Sequence, residues 1–291
     1  MTEMARKWNQ FWCASYPTKG LAIFRILLCL LLLKHLYHTE MVGLIRMDEA
    51  EDYFAAGFYS PYFSWLLPPS YEVFIWIGRA CFLFASFALI GFLTQISLFA
   101  AGVVFLYLFL LNKFFYYNHL YSLILAVFLA SLAPVGRAFS VDAVFARLRG
   151  KPRQNVSVSW SLRMMQVIVS VIYLGSAISK TNIPWLSGDA MKTFYEFGHT
   201  LSKDGAYVPP EWLGFLTSIP FSAQALGSLA VEYFLAFGLW IRNLRPWALV
   251  LGILFHLYIQ ITMEVSTFSW QMIVYYLLFL MNFKFARRVL E

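Results

Sequence analysis

The sequence is poor in charge: Asp, Glu, Lys and Arg make up only 13% of its 291 residues, against about 25% in a typical soluble domain. Cysteine is also scarce, with three residues and no C-x-x-C pair, which argues against a disulfide framework or thiol redox chemistry. The five histidines show no metal-ligand spacing, and there is no nucleophile elbow, phosphate-cradling loop or dinucleotide fingerprint. The low content of charged residues excludes an ordinary soluble domain. Because the histidines lack metal-ligand spacing, we predict no bound metal.

Apolar and aromatic residues are what the chain has in excess. Hydrophobic residues make up 60% of the chain and aromatic residues 19%, and the mean hydropathy is +0.66. Trp and Tyr collect at membrane interfaces. The net charge of +7 could suggest nucleic acid, but the basic residues stand at the ends of apolar segments, as in membrane proteins. We therefore expect the lipid bilayer as a partner, and no nucleic acid.

Eight apolar runs approach the roughly 20 residues that a spanning helix needs. They predict an all-α, polytopic integral membrane bundle of about eight transmembrane helices, forming a single domain over 1–291 with no separate soluble domain. The first run continues past Arg25 into Lys34 with no cleavage site after it, so we expect a retained helix rather than a signal peptide. The second and third runs should form a tight helical hairpin joined at Thr94 and Gln95. The predicted spans lie near residues 20–38, 73–93, 96–112, 119–134, 163–180, 222–241, 246–262 and 267–283.

Lysine and arginine are concentrated in the two terminal segments and in the loops after the fourth and sixth spans. All four segments fall on one side of the membrane if there are eight spans with both termini in the cytoplasm. The opposite loops, 39–72 and 181–221, have few basic residues and several acidic ones. The clustered basic residues are Arg6, Lys7, Lys19, Arg137, Arg147, Arg149, Lys151, Arg153, Arg242, Arg245, Lys284, Arg287 and Arg288.

Six ionisable side chains fall within or at the ends of the predicted spans. Each costs about 2.5–3.5 kcal/mol at membrane depth on insertion scales, so such groups usually face a cavity or a partner. Structural alternatives remain open: the lysine could reach water from a helix end, the arginines could pair with the glutamate or with backbone carbonyls, and the histidines could be packing residues or interfacial anchors. The six residues are Arg25, Arg79, His119, Lys180, Glu232 and His256.

Several segments carry a resemblance to a known family. Five segments resemble parts of the membrane core of vitamin K-dependent gamma-carboxylase, in the order of the chain: "FRILLCLLLLKHLYHTE", "LTQISLFAAGVVFLYLFLLNKFFYYNHLYSLILAVFLA", "SVDAV", "MQVIVSVIYLGSAISKTNIPWLSG" and "FHLYIQITMEVSTFSW". This core is called the HTTM (horizontally transferred transmembrane) domain. The resemblance covers nearly the whole chain. It places the family's catalytic lysine on Lys180 and two functional histidines on His119 and His256.

The resemblance implies a membrane-embedded enzyme, a carbon–carbon lyase and quinol epoxidase. In that chemistry a lysine base deprotonates a reduced quinone (vitamin K hydroquinone or another quinol), reaction with O2 generates a strong base, and CO2 traps the resulting carbanion on a peptide. A buried lysine suits this role because burial favours the neutral amine. We expect the pocket for the quinol or substrate at the outer face. The residues predicted to line it are Arg25, Asn118, Tyr173, Trp185 and Glu232.

Two departures from the family weaken the analogy with the animal enzyme. The chain ends at Glu291, so we expect no counterpart of its large lumenal domain, and Ser179 stands where that family has a second lysine. We therefore expect a peptide or small-molecule substrate at the outer face, with a separate subunit as a possible means of binding it. Standalone members are linked to secreted bacterial peptides, which suggests a multi-pass protein of the bacterial inner membrane. The alternative is a non-catalytic protein for export, maturation or assembly of a secreted peptide, as in sporulation-delaying toxin systems, or a transporter in which Arg25, Arg79 and Glu232 form a polar pathway.

Overall fold

The computed structural model describes residues 2–38, 66, 69–111, 117–152, 154–193, 196, 214–215, 218–263, 267–281 and 283, and the fold is mostly helical. Two short strands accompany the helices. The elements are α1 (Glu3–Trp12), β1 (Ser15–Pro17), α2 (Thr18–His38), α3 (Tyr71–Ile90), α4 (Thr94–Leu111), α5 (Asn118–Ser131), α6 (Val141–Leu148), β2 (Val156–Val158), α7 (Trp160–Lys180), α8 (Ile183–Leu186), α9 (Phe221–Gly238), α10 (Arg245–Met263) and α11 (Phe268–Leu280).

Each of the eight predicted spans contains a helix, from α2 to α5, α7, and α9 to α11. Within the described ranges, four helices are long and apolar enough to cross a membrane: Thr18–Tyr37, Glu72–Ile90, Thr94–Leu111 and Trp160–Lys180. Helices α5 and α11 are apolar but shorter. The chain is therefore a helical membrane protein, whereas the count of eight spans and the side of each terminus stay predictions.

The chain divides into two compact units. The first comprises Met1–Met165 and Leu280–Glu291, and in it α2 packs on α3, α3 on α4, and α4 on α5. The second comprises Gln166–Phe279, where α9 packs on α10 and on the short α8. The unit boundary falls inside α7.

The predicted hairpin between the second and third spans is present, but its turn lies earlier than expected. Helix α3 ends at Ile90 and is capped by Gly91 in the left-handed region, at φ 73°, and α4 begins at Thr94. Thr94 belongs to the helix because its backbone N–H and hydroxyl both donate to the Asp142 carboxylate, at 2.8 and 2.6 Å. The connection is thus residues 91–93.

The two strands and helix α1 of the first unit lie outside the predicted spans, as does α6. Strands β1 and β2 pair antiparallel, with Ser15 opposite Val158 and Pro17 opposite Val156. Tyr16, the central residue of β1, is fully buried. Burial raises the pKa of its phenol to about 12. Helix α1 has no buried residue and exposes Met4, Trp8 and Phe11, which is the pattern of a helix that lies in a membrane interface.

Candidate functional site

Buried polar side chains follow one face of α7 in the second unit. Gln166, Tyr173 and Lys180 are spaced seven residues apart, which is about two helical turns, so they lie on one face. Gln166 is fully buried and Tyr173 is 2% exposed. Gln166 Nε2 donates to the Leu278 carbonyl at 2.7 Å. An apolar helix thus presents a polar face to the inside of the unit.

At the end of this face, Lys180 forms an ion pair with Glu232 of α9. The distance from Nζ to Oε1 is 2.5 Å, and the lysine and glutamate side chains are 26% and 5% exposed. Ser176, one turn before Lys180, donates its hydroxyl to the same carboxylate oxygen at 2.9 Å. Nζ also lies 4.9 Å from the centroid of the Trp185 ring, a cation–π distance. Lys180 therefore has protein partners, which a lysine that only reached for water would not need.

The segment after α7 holds Trp185 in place. Asn182 caps α8 by accepting a hydrogen bond from the Trp185 backbone N–H at 3.0 Å, and the indole Nε1 donates to the Ala225 carbonyl at 3.1 Å. Gly188 follows with φ +90°, and a Cβ there would lie 2.3 Å from the Ser222 backbone nitrogen. Glycine is required at this point because the backbones of the turn and of α9 touch. The stretch "NIPWLSG" thus fixes an aromatic ring beside Lys180.

Two turns before Lys180, Tyr173 joins a second buried cluster. Its hydroxyl lies 2.6 Å from Nε2 of His256 on α10 and is also hydrogen-bonded to the hydroxyl of Tyr276 on α11. Gly252 makes room for this arrangement, because a Cβ at that position would lie 2.3 Å from the Tyr276 hydroxyl oxygen. Phe268 packs edge-on against the His256 ring, with centroids 5.5 Å apart. His256 is thus held in one orientation by α7, α10 and α11.

Some buried polar atoms in this unit lack a hydrogen-bond partner among the residues that the structure describes. They are Glu232 Oε2, His256 Nδ1, Gln260 Oε1 and Ser269 Oγ. Buried polar groups are normally hydrogen-bonded, so each unsatisfied atom is a place where a bound molecule could donate or accept. Gln260 lies one turn after His256 on α10, which puts the two side chains on one helix face.

The remaining predicted site residues belong to the first unit. Arg25 is fully buried and donates to the carbonyls of Val135 at 3.1 Å and Phe139 at 2.5 Å. Pairing with backbone carbonyls was one of the two structural alternatives that the sequence left open for this arginine. Asn118, the first residue of α5, is exposed. The ring of His119 stacks on Tyr117 with centroids 5.4 Å apart. That His119 and Lys180 face one pocket stays a prediction.

Arg79, the other arginine within a predicted span, is exposed. Its guanidinium lies 4.7 Å from the centroid of the Trp76 ring. In the described parts of the chain, no group of three or more His, Cys, Asp and Glu side chains could hold a metal ion.

Sequence reasoning missed several residues of the two clusters in the second unit. Tyr276 stands in "VYYLLFL", where nothing distinguishes it from an interfacial tyrosine. Gln166 and Ser176 are uncharged and were not predicted as site residues, although their spacing of seven and four residues from Tyr173 and Lys180 marks the same helix face. That spacing was the available signal.

Comparison with known proteins gives one family match. A sequence model described as the HTTM domain matches residues 15–282, and this is a membrane domain family related to gamma-carboxylase. No curated protein and no solved structure matches the chain.

Proposed function

The chain belongs to the HTTM domain family, and on that premise we propose that it is a gamma-carboxylase-like enzyme with Lys180 as its base. The observation that carries the proposal is the Lys180–Glu232 pair, a lysine and a carboxylate 2.5 Å apart on the polar face of an otherwise apolar helix. Ionisable groups at such positions in membrane proteins are usually functional.

The residues present fit a reduced quinone. A hydroquinone offers two hydroxyl groups, and the second unit offers Lys180 Nζ with the unsatisfied Glu232 Oε2 and His256 Nδ1 as polar atoms to receive them. Trp185 and the aromatic residues around His256 supply apolar surface. When bound, the quinol together with O2 would supply the strong base that removes a proton from carbon.

The Lys180–Glu232 pair is neutral overall, so its own proton can move between the two groups without creating an isolated charge, and a further proton taken up by the pair is balanced by the anion left on its donor. An isolated buried charge is expensive, whereas a pair that is neutral overall avoids most of that cost. A proton shared by the two groups gives either ammonium and carboxylate or amine and carboxylic acid. In the second arrangement Lys180 is a free amine that can accept a proton from a hydroxyl group, and Glu232 holds the first proton.

His256 acts as a hydrogen-bonding partner whose position Tyr173 fixes. Its Nε2 is occupied by the Tyr173 hydroxyl, so whichever tautomer is present, Nδ1 has one further hydrogen bond to give or accept. For His119 and Asn118, at the start of α5, we propose the roles that the family resemblance implies: His119 as a functional histidine and Asn118 as a residue that binds the quinol or substrate. The co-substrates are O2 and CO2, and the substrate is a peptide or small molecule at the outer face of a bacterial inner membrane, with a separate subunit to deliver it where needed.

The test is to incubate the purified protein with reduced naphthoquinones and O2 and to quantify the quinone epoxide. We expect product from the wild type. Lys180→Ala and Lys180→Arg should both fold but lose at least about 100-fold in rate, the scale of general-base catalysis, because arginine keeps its proton in proteins. Glu232→Gln should also slow the reaction, since an amide cannot accept the lysine proton.

The matched control is Lys192→Arg. Lys192 is a second lysine of the same unit, 58% exposed and 3.7 Å from Glu196, and its replacement should leave the rate unchanged. A small primary amine added to Lys180→Ala should restore part of the turnover. Near-wild-type activity of Lys180→Arg would return Lys180 to a structural role, and a wild type inactive with every reduced quinone would overturn the quinol chemistry.

A further inference from the structure

A cavity of about 610 Å³ lies in the first unit, and none of the predicted site residues lines it. It is formed by the start of α4, the segment after α5, helix α6 and the segment before β2. This volume is within the range of about 300–1,000 Å³ that is usual for small-molecule sites. Its lining includes three cationic side chains, Arg137, Arg147 and Lys151.

The acidic residue in the lining is Asp142, and its carboxylate is already engaged. Oδ1 accepts from the Leu93 backbone N–H at 2.9 Å, and Oδ2 accepts from Thr94 at both its backbone nitrogen and its hydroxyl. The negative charge is therefore directed at the first turn of α4 rather than at the three cations. The cavity keeps an excess of positive charge.

Helix α6 separates this cavity from an exposed apolar surface. Ala143 and Arg147, four residues apart, lie on the face that lines the cavity. Val144, Phe145 and Leu148 project from the opposite side and are 54%, 47% and 77% exposed. A short helix with apolar residues on one face and a cation on the other is typical of an interfacial helix, whose apolar face enters the acyl region of a bilayer.

The ends of neighbouring helices place the cavity at the level of the lipid headgroups. It opens beside Thr94, where the candidate span Thr94–Leu111 begins, and beside Pro134, just after α5. The ends of spanning helices lie at the level of the lipid headgroups. Three cations around a cavity at that depth match a phosphate-bearing headgroup, since Arg and Lys are the residues that bind phosphate.

We propose that this cavity binds the headgroup of an anionic phospholipid. Arg147 and Lys151 contact the phosphate, and the exposed apolar face of α6 lies among the acyl chains. Arg137 is held at the cavity by its hydrogen bond to Ser157 Oγ at 2.9 Å and by another to the Gln154 side chain. The lipid would tie α6 to the start of α4.

The test measures lipid binding to the purified, delipidated full-length protein by native mass spectrometry. Phosphatidylglycerol and phosphatidylcholine with identical acyl chains are titrated separately, with inorganic phosphate as a third arm. We expect preferential binding of phosphatidylglycerol. Arg147→Gln should weaken that binding about fivefold, because one basic residue near a membrane surface contributes about 1 kcal/mol.

The matched control is Arg149→Gln, which removes the same charge two residues away at the C-cap of α6, outside the cavity lining. It should change affinity less than about twofold. Lys151→Gln is a second cavity variant in case Arg147→Gln unfolds. Equal losses in the cavity and control variants, no preference between the two lipids, or binding of inorganic phosphate without the lipid would each overturn the proposal.

Discussion

Arg25 has the largest side chain among the fully buried residues of the described chain, and it lies in the middle of α2. Its guanidinium donates to the carbonyls of Val135 and Phe139, and to that of Leu89 at 3.5 Å. Leu89 lies in the last turn of α3, and Val135 and Phe139 follow the end of α5. Backbone carbonyls at helix ends lack partners within the helix. One buried cation thus joins three segments of the first unit.

Removing this cation should destabilise the first unit. Arg25→Met keeps the length of the side chain but leaves buried carbonyls without a donor, and hydrogen bonds to charged groups contribute about 1.5–3 kcal/mol each. We expect a loss of about 3 kcal/mol, measured as a lower midpoint of thermal unfolding in detergent. Arg79→Met is the control, because Arg79 is exposed over Trp76 and an exposed cation–π contact contributes about 0.5–1 kcal/mol. Equal midpoints for the two variants would show that the Arg25 hydrogen bonds do not stabilise the fold.

The sequence predicted that six ionisable side chains face a cavity or a partner, because charge or a titratable ring is rare in a chain of this composition. They are Arg25, Arg79, His119, Lys180, Glu232 and His256. It could not predict which of them meet. Lys180 and Glu232 are 52 residues apart in sequence, and their contact depends on the packing of α7 against α9. Tyr276 was not predicted at all, because a tyrosine in an apolar helix has the same pattern whether it faces lipid or a histidine.

At the scale of elements, the length of an apolar segment decided whether its secondary structure could be predicted. Each of the eight apolar runs contains a helix, since a run of that length in a membrane has few alternatives. Helix α6 and strand β2 were expected to be part of a cytoplasmic loop, because segments of eight and three residues leave no reliable periodic signal. Ser157 in β2 is only 3% exposed, which a polar loop residue does not suggest.

The start of α4 depends on Asp142, the second residue of α6. Asp142→Ala removes the acceptor for two backbone N–H groups and one hydroxyl, and loss of such a cap costs about 1–2 kcal/mol. The midpoint of thermal unfolding should fall accordingly, and Asp142→Asn should fall less because it keeps one acceptor oxygen. Asp189→Ala is the control: Asp189 is exposed and accepts from Ser187 Oγ at 2.7 Å. If the Asp142 and Asp189 variants unfold at the same temperature, the cap contributes little to stability.

At the scale of the whole molecule, the orientation in the membrane rests on the distribution of lysine and arginine. The protein carries a natural probe for it. Cys13, which follows α1, is exposed, while Cys29 and Cys81 are buried. A thiol reagent that cannot cross membranes should therefore report on the N-terminal segment alone.

We predict that Cys13 resists an impermeant maleimide in intact spheroplasts and reacts once the membrane is permeabilised, because Arg6, Lys7 and Lys19 hold this segment in the cytoplasm. Cys13→Ser should abolish the labelling. In that background, Ile183→Cys places a thiol at a position that is 81% exposed in the predicted outer loop, and it should react without permeabilisation. The active site proposed beside Lys180 needs this result, since Ile183 follows Lys180 by three residues and reports the side on which α7 ends. Labelling of Cys13 from outside would contradict the predicted side of the N-terminal segment, and an Ile183→Cys variant that reacts only after permeabilisation would move the proposed site to the cytoplasmic face.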